Sequence, residues 1–232
     1  MHLPAKSFLA LLLLGASAAN AATIDAATLT AIARLQEEKL HARIGIAVID
    51  TASGKSVSYR GDERFPLNST HKALLCGALL SKVDRGKFAL SDTTQFSKET
   101  LVDYSPVTSK FVAPKSMSWQ QVCSAAIEYS DNTAANLVAQ KLGGPQKVTA
   151  WVAELGDNVT RLDRKEPELN SAVPGDLQDT TPPLAVSRPL EKLTLGDTLK
   201  PERRAPPGQW LRDDKVADAM LRASLPSAAK LR

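Results

Sequence analysis

The chain has 232 residues, 43% of them hydrophobic, which suits one domain or two interleaved lobes around a buried core. Its 29 Lys and Arg are scattered among 25 Asp and Glu for a net charge of +4. No basic run alternates with aromatics, which argues against nucleic acid as a partner.

Near the N-terminus Lys6 precedes the apolar run 8–14, and Ala19-Asn20-Ala21 sets small residues where a signal peptidase reads. The run is too short to span a bilayer. Residues 1–21 are therefore expected to be a cleaved export signal, and the mature chain to be periplasmic with no stable membrane association.

Residues 25–40 read as a helix, with Ile32, Leu35 and Leu40 on an apolar face broken by Glu37, Glu38 and Lys39. Residues 44–49 form a β-rich run, Ser53-Gly54 supplies a turn, and 56–59 alternates as a partner strand. Residues 22–60 thus give a helix and a hairpin. From 69 to 83 the pattern is helical, with Leu75, Leu79 and Leu80 on one face and Gly86 past the end. Ser118 and Gln121 form a capping box ahead of Val122, Ala126 and Ile127. Residues 133–142 are helical up to Gly143-Gly144, and Pro145 opens another helix that reaches Leu155. Residues 157–181 show no sustained period, and a loop of that length inside a compact domain is usually functional or disordered. A block of helices follows the hairpin within 61–212, and further strands are expected in 213–232. A sheet of two strands is marginal by itself.

Three short motifs carry chemistry. Ser69 and Lys72 stand three apart at a helix start, which turns both side chains toward one site, and a desolvated lysine can serve a serine as base. Ser130-Asp131-Asn132 offers a second hydroxyl and an amide ahead of a helix, although all three types are also good caps. Glu166, followed by Pro167, has Asn170 four residues on; a carboxylate and an amide converging on one water form a general-base site. Arg164 and Asp179 bracket this segment and, if paired, would pinch the neck of an Ω-type loop over 164–179. The two cysteines, Cys76 and Cys123, either pair in an oxidising compartment or stay as buried thiols.

Together the motifs resemble the class A serine β-lactamases. The resemblance runs from about Ala26 to Leu225 and takes in Phe65-Pro66-Leu67, Val102-Asp103-Tyr104-Ser105-Pro106-Val107, Pro174-Gly175-Asp176, Asp179-Thr180-Thr181-Pro182, and Trp210-Leu211 with Asp214-Lys215. It implies an α/β (α+β) fold of the serine β-lactamase and D-Ala-D-Ala peptidase type, a helical lobe against an antiparallel sheet. It also implies Ser69, Lys72, Ser130 and Glu166 as catalytic residues, and Asn132, Asn170 and Tyr104 as substrate-binding ones. Arg164–Asp179 and a Cys76–Cys123 bridge would be structural, and Glu166–Pro167 would be cis. The activity implied is hydrolysis of penicillins, and more widely cephalosporins, by a monomer that needs no metal or organic cofactor.

The same resemblance implies a Lys-Thr-Gly-type triplet on a central strand, then two more strands and a closing helix. No such triplet follows Leu225, so the chain reads as a member of that family truncated before the triplet. A missing strand would withhold one oxyanion donor, worth roughly 3–4 kcal/mol. The alternatives are an inactive fragment of such an enzyme and a penicillin-binding D-Ala-D-Ala peptidase. Two smaller departures stand out: His71 between Thr70 and Lys72, and Pro189, Pro206 and Pro207 where helix interior is implied, at about 3 kcal/mol each.

Overall fold

A computed structural model describes residues 25–216; the expected export signal and nearly all of the segment 213–232 lie outside the described residues. The order is α1 (Ala26–Leu40), β1 (Ile46–Ile49), β2 (Ser56–Tyr59), β3 (Phe65–Pro66), α2 (His71–Asp84), β4 (Thr93–Thr94), β5 (Met117–Ser118), α3 (Trp119–Glu128), α4 (Asn132–Leu142), α5 (Pro145–Glu154), β6 (Thr180–Thr181), α6 (Pro183–Thr194) and α7 (Pro201–Arg212). The strands form three antiparallel pairs, β1 with β2, β3 with β6 and β4 with β5.

The hairpin is as expected. Ile46 faces Tyr59 and Ile49 faces Ser56 across it. Asp50 ties its turn by accepting from Ala52 N and Ser53 Oγ, and Gly54 takes the φ of 70° that the turn demands. α6 packs on β1, and α1 packs on β2.

The buried face of α1 differs from the expected one. Leu29 and Ala33 are buried, whereas Ile32, Leu35 and Leu40 are 52%, 61% and 59% exposed. The inward row continues at spacing four to Glu37, whose carboxylate accepts from Ile44 N, Tyr59 Oη and Arg60 Nε, each at 2.8 Å. Those bonds, chiefly the one from Arg60, hold the Glu37 carboxyl down at about 2. A residue that reads as a break in the apolar face is thus the polar anchor of the real one.

α2 lies at the centre, buried from His71 through Ser81 and again at Val83, as befits a helix apolar on nearly every side. Gly77 lets neighbours close on it: a Cβ there would meet Trp151 at 2.8 Å and Leu193 at 3.0 Å. The helix expected from Ser69 begins at His71, because Asn68–Thr70 form a 3₁₀ turn that tightens the entry. A disulfide joins Cys76 on α2 to Cys123 on α3 across 47 residues. In the chain-entropy account a loop of that length contributes about 4 kcal/mol.

Ser118 and Gln121 form the expected capping box on α3, and Asp131 caps α4 by accepting from Ala134 N. α6 and α7 run on through Pro189 and through Pro206-Pro207. Each proline forfeits a helical hydrogen bond, but Pro189 and Pro207 are buried on the same helices as Leu193 and Trp210, so their rings add to the core. Within the loop 157–181 a 3₁₀ turn forms at Glu168–Asn170, and β6 ends the loop by pairing with β3 just ahead of Ser69.

Candidate active site

The expected catalytic residues, together with Asn132, come from three separate stretches and meet at one amine. Lys72 Nζ lies 3.1 Å from Ser69 Oγ, 3.0 Å from Ser130 Oγ, 2.7 Å from Ser130 O and 2.7 Å from Asn132 Oδ1. Glu166 Oε1 is a fifth oxygen, at 3.2 Å. An ammonium has three N–H groups, so not all five contacts are satisfied at once. The lysine is 2% exposed. Burial lowers its proton affinity from the usual lysine range, and the charge of Glu166 opposes that shift.

Ser69 sits in the 3₁₀ turn before α2, and its Oγ is 2.7 Å from Ser130 Oγ. The two hydroxyls and the amine form a closed triangle through which a proton can pass without a long jump. Ser130 is held at φ 55°, Tyr104 at φ 60° and Asn68 at φ 42°. Three non-glycine residues in the left-handed region around one site represent strain that the surrounding packing sustains. Asp131 underwrites the strained turn. It is fully buried and accepts from Val107 N, Thr108 N, Thr108 Oγ1 and Ala134 N.

Asn132 donates its Nδ2 to Asp103 O at 2.9 Å, which fixes its amide with the oxygen toward Lys72. Tyr104 is 58% exposed, and its carbonyl accepts from Asn132 N, so it lies beside the same turn. A cavity of about 750 Å³ adjoins Ser69, Lys72 and Ser130 and extends along Ile49, Ala126, Ile127, Leu190 and Leu195.

Glu166 enters from the long loop. Its Oε2 accepts from Asn170 Nδ2 at 2.6 Å, and the residue is buried at 3% exposure. The peptide bond to Pro167 is cis, as is Ala113–Pro114. Asn136, one turn beyond Asn132 on α4, holds Glu166 by its main chain. It accepts from Glu166 N and donates to Glu166 O, both at 2.9 Å. No local spacing in the sequence marks Asn136, because its partner is the main chain of a residue thirty positions away.

The neck of the loop is tied by Asp179, which is fully buried. It accepts from Arg164 Nε at 2.6 Å, Asp163 N at 2.7 Å and Arg164 N at 3.0 Å. Arg164 also donates to Asp176 at 3.0 Å. The hydrogen bond to Asp179 and the nearby charges raise the Arg164 pKa above its ordinary value. Among the described residues no group of three or more His, Cys, Asp or Glu could hold a metal ion.

The chain is similar to known proteins in both sequence and fold. The profile of the Beta-lactamase enzyme family matches residues 27–232. Beta-lactamase AER-1 of Aeromonas hydrophila is 49% identical over 208 residues, 90% of this chain and 68% of that protein. The solved class A β-lactamase reconstructed as the last common ancestor of Gram-negative bacteria is 52% identical, with a TM-score of 0.84 over 86% of this chain and 76% of that one. A β-lactamase crystal structure from Desulfarculus baarsii is 41% identical, with a TM-score of 0.85 over 89% of this chain and 76% of that one. The matches span both the helical lobe and the motif-bearing segments, and on them the chain belongs to the β-lactamase enzyme family, with class A enzymes as its neighbours in sequence and fold.

Proposed function

We propose that the chain hydrolyses the lactam amide of β-lactam antibiotics, penicillins foremost and cephalosporins more widely, through an acyl-serine. The observation that carries this reading is the convergence of Ser69 Oγ, Ser130 Oγ and Glu166 Oε1 on Lys72 Nζ within 3.2 Å. In acylation Ser69 Oγ attacks the lactam carbonyl and gives up its proton to the buried amine or, through water, to Glu166. The lactam C–N bond breaks, and Ser130, bridging Ser69 and Lys72, delivers a proton to the nitrogen. In deacylation Glu166 and Asn170 orient a water, Glu166 takes its proton, and the hydroxide oxygen displaces Ser69.

Asn132 binds the acylamino side chain by exchanging its bond to the Asp103 carbonyl for one to substrate, and Tyr104 lines the rim. Arg164 and Asp179 hold the loop that carries Glu166, and the Cys76–Cys123 bridge braces α2 against α3. We further assign export to the periplasm, on the strength of Lys6 and the apolar run after it, and take the exported protein to act as a monomer. Among the described residues no helix is long and apolar enough to cross a membrane.

The test is mass spectrometry with benzylpenicillin on the purified chain and two variants. The chain should turn over the drug, Ser69→Ala should neither label nor hydrolyse, and Glu166→Gln should accumulate the penicilloyl adduct. Loss of general-base assistance lowers deacylation about 10²–10⁴-fold. A folded chain that is never labelled would sink the proposal.

A further inference from the structure

His71 stands on the first turn of α2 with 2% exposure, and the reaction above gives it no task. Its Nδ1 lies 2.5 Å from the carbonyl oxygen of Asn68. A carbonyl only accepts, so this contact keeps the proton on Nδ1 and leaves a lone pair on Nε2. Nε2 faces Oε1 of Glu166 at 3.8 Å. That oxygen is buried and has Lys72 Nζ at 3.2 Å, an amine it shares with four other oxygens, whereas Oε2 accepts from Asn170. A lone pair set against a buried carboxylate is unfavourable; the same contact becomes favourable once a proton lies between the two atoms.

We propose that His71 is a positioning residue for Glu166, its Nε2 serving as the acceptor that orients and favours the protonated carboxyl group. The inference rests on reading Glu166 as the base. In deacylation a water proton moves to Glu166, and the hydroxide oxygen bonds to the acyl carbon. The bond from that carbon to Ser69 Oγ then breaks, and Ser69 recovers the proton. While it resides on Oε1, that proton hydrogen-bonds to Nε2, the pair closing by about 1 Å to an ordinary donor–acceptor distance. His71 itself neither gains nor loses a proton.

The neutral ring suits its surroundings. Burial is the largest influence and holds the His71 pKa down at about 4; the Asn68 carbonyl opposes this. Of the charged groups facing the ring, Glu166 and Asp179 from the loop raise its proton affinity, and Lys72 on its own helix lowers it. These balances leave the imidazole uncharged at neutral pH.

The test is nitrogen NMR of the full chain labelled with ¹⁵N-histidine, the His71 signals being assigned by their loss in His71→Phe. At pH 7 His71 should show a protonated Nδ1 and a bare Nε2. Glu166→Gln should lower its titration midpoint by about one pH unit or more, because the attraction of the carboxylate is removed. An Nε2–H tautomer, a midpoint near the free-imidazole value of about 6.5, or no response to Glu166→Gln would overturn the proposal. These readings need no turnover, so they stand apart from the test of lactam hydrolysis. Where turnover is measured, His71→Phe should slow deacylation more than acylation and move the acid limb of deacylation to lower pH. An unmoved or raised acid limb would count against the role.

Discussion

At the scale of single residues, burial and charge decide what Lys72 and His71 can do. Both are 2% exposed, adjacent in the chain and close to Glu166. Burial lowers the proton affinity of each, and Glu166 raises it. For the histidine the outcome has a measurable consequence for stability. The unfolded imidazole titrates near 6.5 and the folded one near about 4, so the unfolded chain binds more protons between those values. Stability from this residue is therefore present at neutral pH and lost as pH falls through the window. Going from pH 7 to pH 5 should cost roughly 2 kcal/mol through His71, and urea denaturation of the chain beside His71→Phe at the two pH values measures it. A pH dependence that His71→Phe leaves unchanged would show that the ring is not buried neutral. Ser69, Lys72, Ser130, Asn132, Glu166 and Asn170 stand out in the sequence because three short motifs together resemble one family; each pair by itself reads equally as a helix cap or a solvated side chain. Asn136 does not stand out, since its partner is the main chain of Glu166, thirty residues away, and no local pattern marks such a contact. The work of Asp131 was hidden in the same way, because a residue that reads as a helix cap also holds the Val107-Thr108 backbone.

At the scale of elements, the long loop matters because it is closed at both ends. Its exit pairs with β3 through β6, next to the turn that holds Ser69, and its neck is tied through Asp179. Asp179→Asn keeps the size of the side chain but removes the charge that faces Arg164. The loop should then open more often while the α2–α3 core stays closed. Hydrogen exchange of amides in 163–179 should accelerate about tenfold or more, with the α2 amides unchanged. On the proposed mechanism, in which Glu166 is the base that activates the hydrolytic water, deacylation should fall more than acylation. Equal acceleration in α2 would mean that Asp179 supports the whole fold and not the loop. The sequence allowed the loop and its bracketing pair to be recognised, because Gly, Pro and Asn interrupt every period there. It misled over α1, where helical periodicity was right and the inward face was not. Hydropathy ranks Glu37 as surface, but a carboxylate with three donors converging on it outweighs its apolar neighbours in fixing the helix rotation.

At the scale of the whole molecule, the same rotation of α1 leaves apolar surface outside. Ile32, Leu35 and Leu40 on α1 are all more than half exposed, as is Leu195 after α6, and Val48 on β1 is 39% exposed. Among the described residues the hairpin offers α1 only two strands to pack on. A two-stranded sheet cannot cover both a helix stripe and its own second face. The helical lobe differs, because α2 is enclosed by α3, α4, α5, α6 and α7 and stapled to α3. The two parts should therefore respond differently to polar substitution. Ile32→Lys with Leu35→Lys should leave the unfolding free energy within about one kcal/mol of the parent, since exposed positions away from caps and cores rarely contribute more. The same pair should reduce binding of an apolar fluorescent dye and raise the concentration at which the chain self-associates, because large exposed apolar patches are what such dyes and second copies bind. Light scattering and dye titration of parent and variant, at equal concentration, measure both. Strong destabilisation without any loss of dye binding would instead place Ile32 and Leu35 in the folding core, and would mean that α1 turns a different face to the hairpin than the Leu29, Ala33 and Glu37 row.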